Sequence, residues 1–183
     1  MKQQNIEKIL KELFENPTKI YSLRELARKT KLNPNTILNS LPFLEKEGII
    51  LKEKLPQALQ IKLNFESEKT VQRKKLFNLK QIYESGIIEE LKKEHHPTSI
   101  VLIGSYSRGE DSENSDIDIA IQAKKEEKIN LSKYGKKLKR KIHLLILPKK
   151  YSQEFFNNLI NGIVLYGTIE DERIWILFKK RGC

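Results

Sequence analysis

Asp116 and Asp118 stand one residue apart at the opening of an apolar run, Ile117-Asp-Ile-Ala-Ile121, that reads as a strand. Side chains two positions apart on a strand point to the same face. Sheet packing does not call for paired like charges there, and side by side they repel unless a cation lies between them. Mg²⁺ suits the pair, because it takes one or two carboxylates and fills its shell with phosphate oxygens and water. Upstream, the run Ser99-Ile-Val-Leu-Ile103 reads as a buried strand that Gly104-Ser105 breaks. Gly104 allows backbone to approach a phosphate closely. The Ser105 hydroxyl and the N–H groups after it can hold that phosphate at a helix N-terminus. The chemistry these residues fit is metal-assisted handling of a phosphate ester.

The order Gly104-Ser105, ten residues, then Asp116-x-Asp118 resembles the signature of the polymerase-β-like nucleotidyltransferases. With Arg108-Gly109 and Ser115 before the first aspartate, it looks most like the minimal nucleotidyltransferases, and the resemblance covers roughly residues 98–168. It implies that Gly104, Ser105 and Ser115 belong to a turn gripping the triphosphate of ATP or another NTP. Arg108 would neutralise phosphate charge or pair with Glu110. Asp116 and Asp118 would be catalytic metal ligands for Mg²⁺. A third carboxylate is expected on a later strand, where it helps activate the attacking hydroxyl. In this chain that position falls to His143, in Lys-Ile-His-Leu-Leu-Ile-Leu147. Imidazole is a poor Mg²⁺ ligand but a usable general base in its neutral form. His143 is thus either a catalytic base or a histidine satisfied at the sheet edge, with Glu170 and Asp171 as later carboxylates. The resemblance further implies transfer of a nucleotide, AMP from ATP foremost, to an acceptor hydroxyl. Relatives of this kind serve as antitoxins that modify a helical toxin of the HEPN class, which makes a protein tyrosine a candidate acceptor.

The elements that position these residues follow from periodicity and caps. Residues 2–15 place Ile6, Ile9, Leu10, Leu13 and Phe14 at helical spacing. Ser22 with Glu25 forms a capping box for a second helix, and Asn33 with Pro34 opens a third that stops at Gly48. Strands are expected over 49–54 and 58–64. Three helices and a hairpin in this order resemble a winged helix-turn-helix, over roughly residues 3–65. That resemblance makes the third helix the reader of a DNA major groove, with Asn35, Thr36, Asn39 and Ser40 toward bases or phosphates. Lys52, Lys54 and Lys62 on the wing would meet the backbone. The third helix departs from a good reader: it has no Arg, its one Lys (Lys46) is near its far end, and Pro42 interrupts it. Winged helices also serve in protein docking or dimerisation.

Residues 66–95 read as one long helix or two, kinked at Ser85-Gly86. Val71, Leu76, Leu79, Ile82 and Tyr83 would form a core stripe, with Arg73-Lys74-Lys75 on a solvated face and His95-His96 as a solvated terminus. Beyond the Asp-x-Asp strand come a charged loop at 124–128, a short helix at 131–139 and a strand at 141–147. A helix at 151–161 has Phe155, Phe156, Leu159 and Ile160 as core. Closing segments follow at 162–169 and 173–178, where Trp175 and Phe178 are packing residues.

The 183 residues carry 32% charged and 38% hydrophobic side chains, with a net charge of +11. That balance suits a polyanionic partner such as duplex DNA or nucleotide. The excess is spread, with 12 basic and 7 acidic residues in 1–65 and 16 and 11 in 99–183. A single cysteine, Cys183, excludes an intramolecular disulfide and fits a reducing cytoplasm. No signal peptide or membrane span is apparent. The expectation is an α+β protein. It comprises a winged helix-turn-helix over 1–65, a helical connector over 66–97, and a nucleotidyltransferase domain over 98–183 with a mixed β-sheet flanked by helices. A homodimer is compatible with it. So is a second function class, a transcriptional regulator whose nucleotidyltransferase fold binds nucleotide without turning it over.

Overall fold

The computed structural model describes residues 2–56, 58–123, 129–148 and 150–170. The 124–128 loop, Asp171 and the 173–178 segment with Trp175 and Phe178 lie outside the described residues.

In the N-terminal unit, α1 (Lys2–Glu15) buries Ile9, Leu13 and Phe14, the inward face its spacing predicts. A two-residue strand, β1 (Tyr21–Ser22), follows, which sequence periodicity is too short to reveal. Ser22 then accepts a hydrogen bond from the Glu25 N–H and opens α2 (Leu23–Thr30). Asn33 caps α3 (Pro34–Lys46) by accepting from the Asn35 N–H. The chain leaves α3 through Gly48, at φ +72°, into β2 (Ile50–Lys54) and β3 (Leu59–Leu63). These strands form an antiparallel sheet ordered β1-β3-β2.

Two helices come next, α4 (Glu68–Ser85) and α5 (Ile87–His95). Gly86 at φ +85° separates them, and the Ser85 hydroxyl accepts the Ile87 N–H while donating to the Ile82 carbonyl. The expected stripe on α4 is only partly right. Ile82 is buried, but Leu76 and Tyr83 are 66% and 53% exposed. The inward face instead carries Thr70, Lys74, Asn78, Ile82 and Ser85 at helical spacing. Lys74 is therefore not on a solvated face: it is fully buried because it meets a buried carboxylate, Asp111. His95 is corrected likewise. It shares the inward face of α5 with Ile87, Ile88 and Leu91 and is 2% exposed, whereas His96 turns out to solvent in a left-handed conformation.

The C-terminal sheet is built from β4 (Ser99–Ile103), β5 (Ile117–Gln122), β6 (Ile142–Ile146) and β7 (Ile163–Gly167). A short helix, α6 (Gly104–Arg108), follows β4; α7 (Ser132–Leu138) links β5 to β6, and α8 (Gln153–Ile160) links β6 to β7. The strand order is β6-β5-β4-β7. β4 is antiparallel to both its neighbours, and β5 is parallel to β6, as the α7 crossover permits. Because both faces are covered, β4 is buried throughout, and after Ser99 its residues are all apolar. Ile100 and Leu102 join Ile117, Ile119 and Ile121 against α4, α5 and α7; Val101, Ile103 and Ala120 join Leu159 of α8. On α8, Phe156 and Leu159 are buried, while the expected core residue Ile160 is 42% exposed.

The two units touch through polar contacts beside the motif loop. Thr18 gives both its N–H and its hydroxyl to the Glu113 carboxylate. Arg140 donates to the Glu15 carbonyl, and Lys139 to the Glu15 carboxylate. The Thr18 hydroxyl is the main cause that holds the Glu113 carboxyl below the ordinary glutamate range. A depressed carboxylate stabilises the fold above its unfolded pKa and loses that contribution as pH falls through the folded one. Thr18→Ala should thus lower the melting temperature by about 1–2 °C at neutral pH, roughly half a kcal/mol for a solvent-facing bond. The deficit should close below the ordinary glutamate range; one that persists at acid pH would mean that Thr18 acts otherwise.

Candidate functional site

Asp116 and Asp118 stand on the α8 face of the sheet, at the end where β5 begins. The alternation that turns Ile117 and Ile119 into the opposite core turns both carboxylates this way. Both side chains are partly exposed, at 42% and 32%. Asp118 pairs in register with Ile103 of β4 on one side and His143 of β6 on the other. The imidazole Nδ1 of His143 lies 3.2 Å from an Asp118 oxygen. If Nδ1 carries the proton and donates it to Asp118, Nε2 remains an acceptor. The sheet thus brings His143 to Asp118, and the position where a third carboxylate is expected is the adjacent rung. Glu170 is elsewhere: its backbone exchanges hydrogen bonds with the Gln122 side chain, at the far end of β5.

Gly104 sits directly above this pair. Its φ is +74°, and a Cβ there would fall 2.7 Å from an Asp118 carboxylate oxygen. Glycine is required twice over, for conformation and for space. Gly104→Ala should cost about 1–2 kcal/mol from backbone handedness alone and push the Asp118 carboxylate aside. Calorimetric titration with ATP and Mg²⁺ should show weakened binding, and unchanged affinity would detach Gly104 from the site.

Ser105 follows, half-exposed, in the first turn of α6. Arg108 is exposed and donates to Glu110 at 2.7 Å, the second of its two expected roles. The Ser115 hydroxyl accepts the Ser112 N–H within the loop, so that oxygen shapes the turn ahead of Asp116. Lys141 approaches Asp116 to 3.9 Å with an 80% exposed side chain.

Beneath the loop lies a buried polar cluster that sequence patterning missed. Asp111 is fully buried, ion-paired with Lys74, hydrogen-bonded by Asn78 at 2.6 Å, and 3.9 Å from the Arg140 guanidinium. Asn78 also donates to the Tyr106 carbonyl. Burial pulls the Lys74 amine below the ordinary lysine range, and Asp111 opposes the shift. Burial also pushes the Tyr106 phenol up. Gly109 completes the seat: a Cβ there would strike the Val71 carbonyl of α4 at 2.5 Å. A four-residue polar spacing on α4, Lys74 to Asn78, was the available signal.

Mg²⁺ is implied by the resemblance, and the donor set fits it in part. Two partly exposed carboxylates beside a glycine cradle match the one or two that this ion takes from protein when phosphate supplies further oxygens. Among the described residues no group of three or more His, Cys, Asp or Glu side chains is placed to hold a metal ion.

In the N-terminal unit, Asn35 and Asn39 are exposed on α3 and Thr36 is half-buried. Ser40 is corrected: it is 3% exposed and its hydroxyl donates to the Thr36 carbonyl, so it cannot face DNA. The three wing lysines do not share a face. Lys52 points inward opposite Ile61 and pairs with Glu45 at 2.6 Å, whereas Lys62 pairs across from Leu51 on the outer side. Lys54, two positions from Lys52, is exposed at the end of β2.

Comparison with known families places both units. Residues 85–171 match the model described as polymerase beta, nucleotidyltransferase, and residues 3–50 match winged helix-turn-helix DNA-binding. The search of curated proteins gives no match. Among the described residues no helix is long and apolar enough to cross a membrane. With the Asp116–Asp118 face and the capped three-helix unit both in hand, residues 85–171 are identified as a nucleotidyltransferase domain of the polymerase-β type and residues 3–50 as a winged helix-turn-helix DNA-binding domain.

Proposed function

We propose that this protein transfers a nucleotide, AMP from ATP, to an acceptor hydroxyl, whose oxygen bonds the α-phosphorus as the α–β anhydride breaks and pyrophosphate leaves. The observation that carries the reading is the shared face of Asp116 and Asp118, set against Gly104 and the imidazole of His143. In this reading Gly104 and Ser105 hold the triphosphate, and Asp116 and Asp118 would hold Mg²⁺. When bound, Mg²⁺ neutralises charge on the phosphates and on the attacking and leaving oxygens. His143, with one nitrogen toward Asp118, offers the other to take the proton of the attacking hydroxyl. The acceptor we favour is a tyrosine on a HEPN-class toxin, which makes the chain an antitoxin-type enzyme whose winged helix binds duplex DNA. The test is incubation with α-labelled ATP, Mg²⁺ and, as acceptor, a HEPN-class toxin protein or the product of the neighbouring gene. Covalent label on that protein, lost in Asp116→Asn, supports transfer.

One observation favours a second reading. The loop carrying Asp116 is tied to the winged helix through Glu113 and Thr18. A nucleotide sensor that alters DNA affinity without turnover would use such a tie. That reading predicts no covalent label and a shift in operator affinity on adding ATP.

A further inference from the structure

The exposed face of α3 has an unusual composition for a helix that enters a groove. Asn35, Leu38, Asn39, Pro42 and Phe43 form one outward stripe at helical spacing, with Leu38 41% and Phe43 42% exposed. The helix carries no Arg, and its lone Lys46 lies in the last turn. Ser40, which reads any base, is turned inward. In a winged helix-turn-helix the N-terminal residues of this helix meet base edges, and here those are Asn35, Leu38 and Asn39. Guanine is read above all by Arg or Lys, bidentate to O6 and N7, and the N-terminal turns of α3 carry neither. Asn makes the corresponding pair with adenine N6 and N7, and an apolar side chain packs on the thymine methyl.

We propose that α3 reads A·T pairs in the major groove, with Asn35 and Asn39 on adenine edges and Leu38 on a thymine methyl. This rests on the DNA-binding membership of residues 3–50 and is independent of nucleotidyl transfer. The exposed apolar stripe, which would otherwise mark a protein-docking face, acquires a nucleic-acid partner of defined composition. The net charge of +11 supplies the sequence-independent attraction that such a sparse set of base contacts requires.

Binding of the full chain to duplexes of one length, at one salt concentration, tests it. A randomised pool should enrich A·T-rich cores, and an A·T core should bind at least about tenfold tighter than a G·C core. Replacing thymine by uracil removes the methyl and little else. It should weaken wild-type binding, and Leu38→Ala should erase the difference. Replacing adenine by 7-deazaadenine should act likewise through Asn35 and Asn39. Asn39→Ala, an exposed position, should lower A·T affinity about tenfold and leave the salt slope unchanged. Equal affinity for both cores overturns the inference and leaves DNA binding standing. So does an A·T preference indifferent to uracil, 7-deazaadenine and both Asn variants, since groove shape would then be its source. Absence of salt-dependent binding to any duplex overturns the DNA reading as well and assigns the stripe to a protein.

Discussion

Asp111→Ala should cost about 3–5 kcal/mol of folding stability, because it leaves the Lys74 ammonium buried with no counter-charge. Lys74 is fully buried and α4 cannot rotate it out without moving Ile82, which is equally buried. The carboxylate also accepts from Asn78, and its loss unpairs that amide too. Urea denaturation should therefore show a large drop in midpoint. A second variant separates charge from shape: adding Lys74→Met to Asp111→Asn removes the Lys74–Asp111 pair and should recover part of the loss, since buried pairs are often replaceable by apolar groups, while the Arg140 guanidinium stays without that carboxylate. A loss below about 1 kcal/mol in Asp111→Ala would put the pair in the class of surface ion pairs. The cluster also bears on the site. It fastens the loop between Gly104 and Asp116 to α4, so surviving Asp111 variants should bind nucleotide more weakly than their folded fraction explains.

Why this cluster escaped the sequence is physical. Lys74 and Asp111 are 37 positions apart, and inside Arg73-Lys74-Lys75 the four-residue spacing to Asn78 is too slight a local mark to single out one lysine. The capped helices were legible because their signals are local. Ser22 and Asn33 each bond a backbone N–H two or three residues on, and the chain has little choice once those residues are in place. The position of His143 was legible through the motif, but its contact with Asp118 depends on the parallel register of β5 and β6. On the wing, the lysines were legible and their sides were not. Lys52 and Lys62 point oppositely because the hairpin register sets Lys52 against Ile61 and Lys62 against Leu51. His95 illustrates the same limit. A terminal histidine pair looks solvated until α5 is seen to aim the first of the two inward along with Leu91.

Removing the carboxylate beside Gly104 should have the largest effect on chemistry. Asp118→Asn keeps shape but gives up the charge that attracts a divalent ion, so binding of Mg²⁺–ATP should fall sharply and transfer by about a thousandfold or more. His143 should behave differently. In His143→Ala the two aspartates remain, so nucleotide binding should persist while transfer falls by about 10²–10⁴-fold, the usual worth of a general base. The adjacent rungs of β5 and β6 make a sharper variant available. His143→Asp would set a third carboxylate where the imidazole lies 3.2 Å from Asp118. Three anions in one place repel without a cation and hold one more strongly with it. His143→Asp should therefore lower the melting temperature without Mg²⁺, regain stability when Mg²⁺ is added, and transfer at least as fast as wild type. A histidine that only satisfies the sheet edge predicts another pattern: His143→Ala would lose stability alone, and its label transfer would equal that of the wild type. Calorimetry with Mg²⁺–ATP beside a single-turnover label assay distinguishes the two. Full activity in His143→Ala would move the search for the base to another group, and unchanged nucleotide affinity in Asp118→Asn would remove the metal from this face altogether.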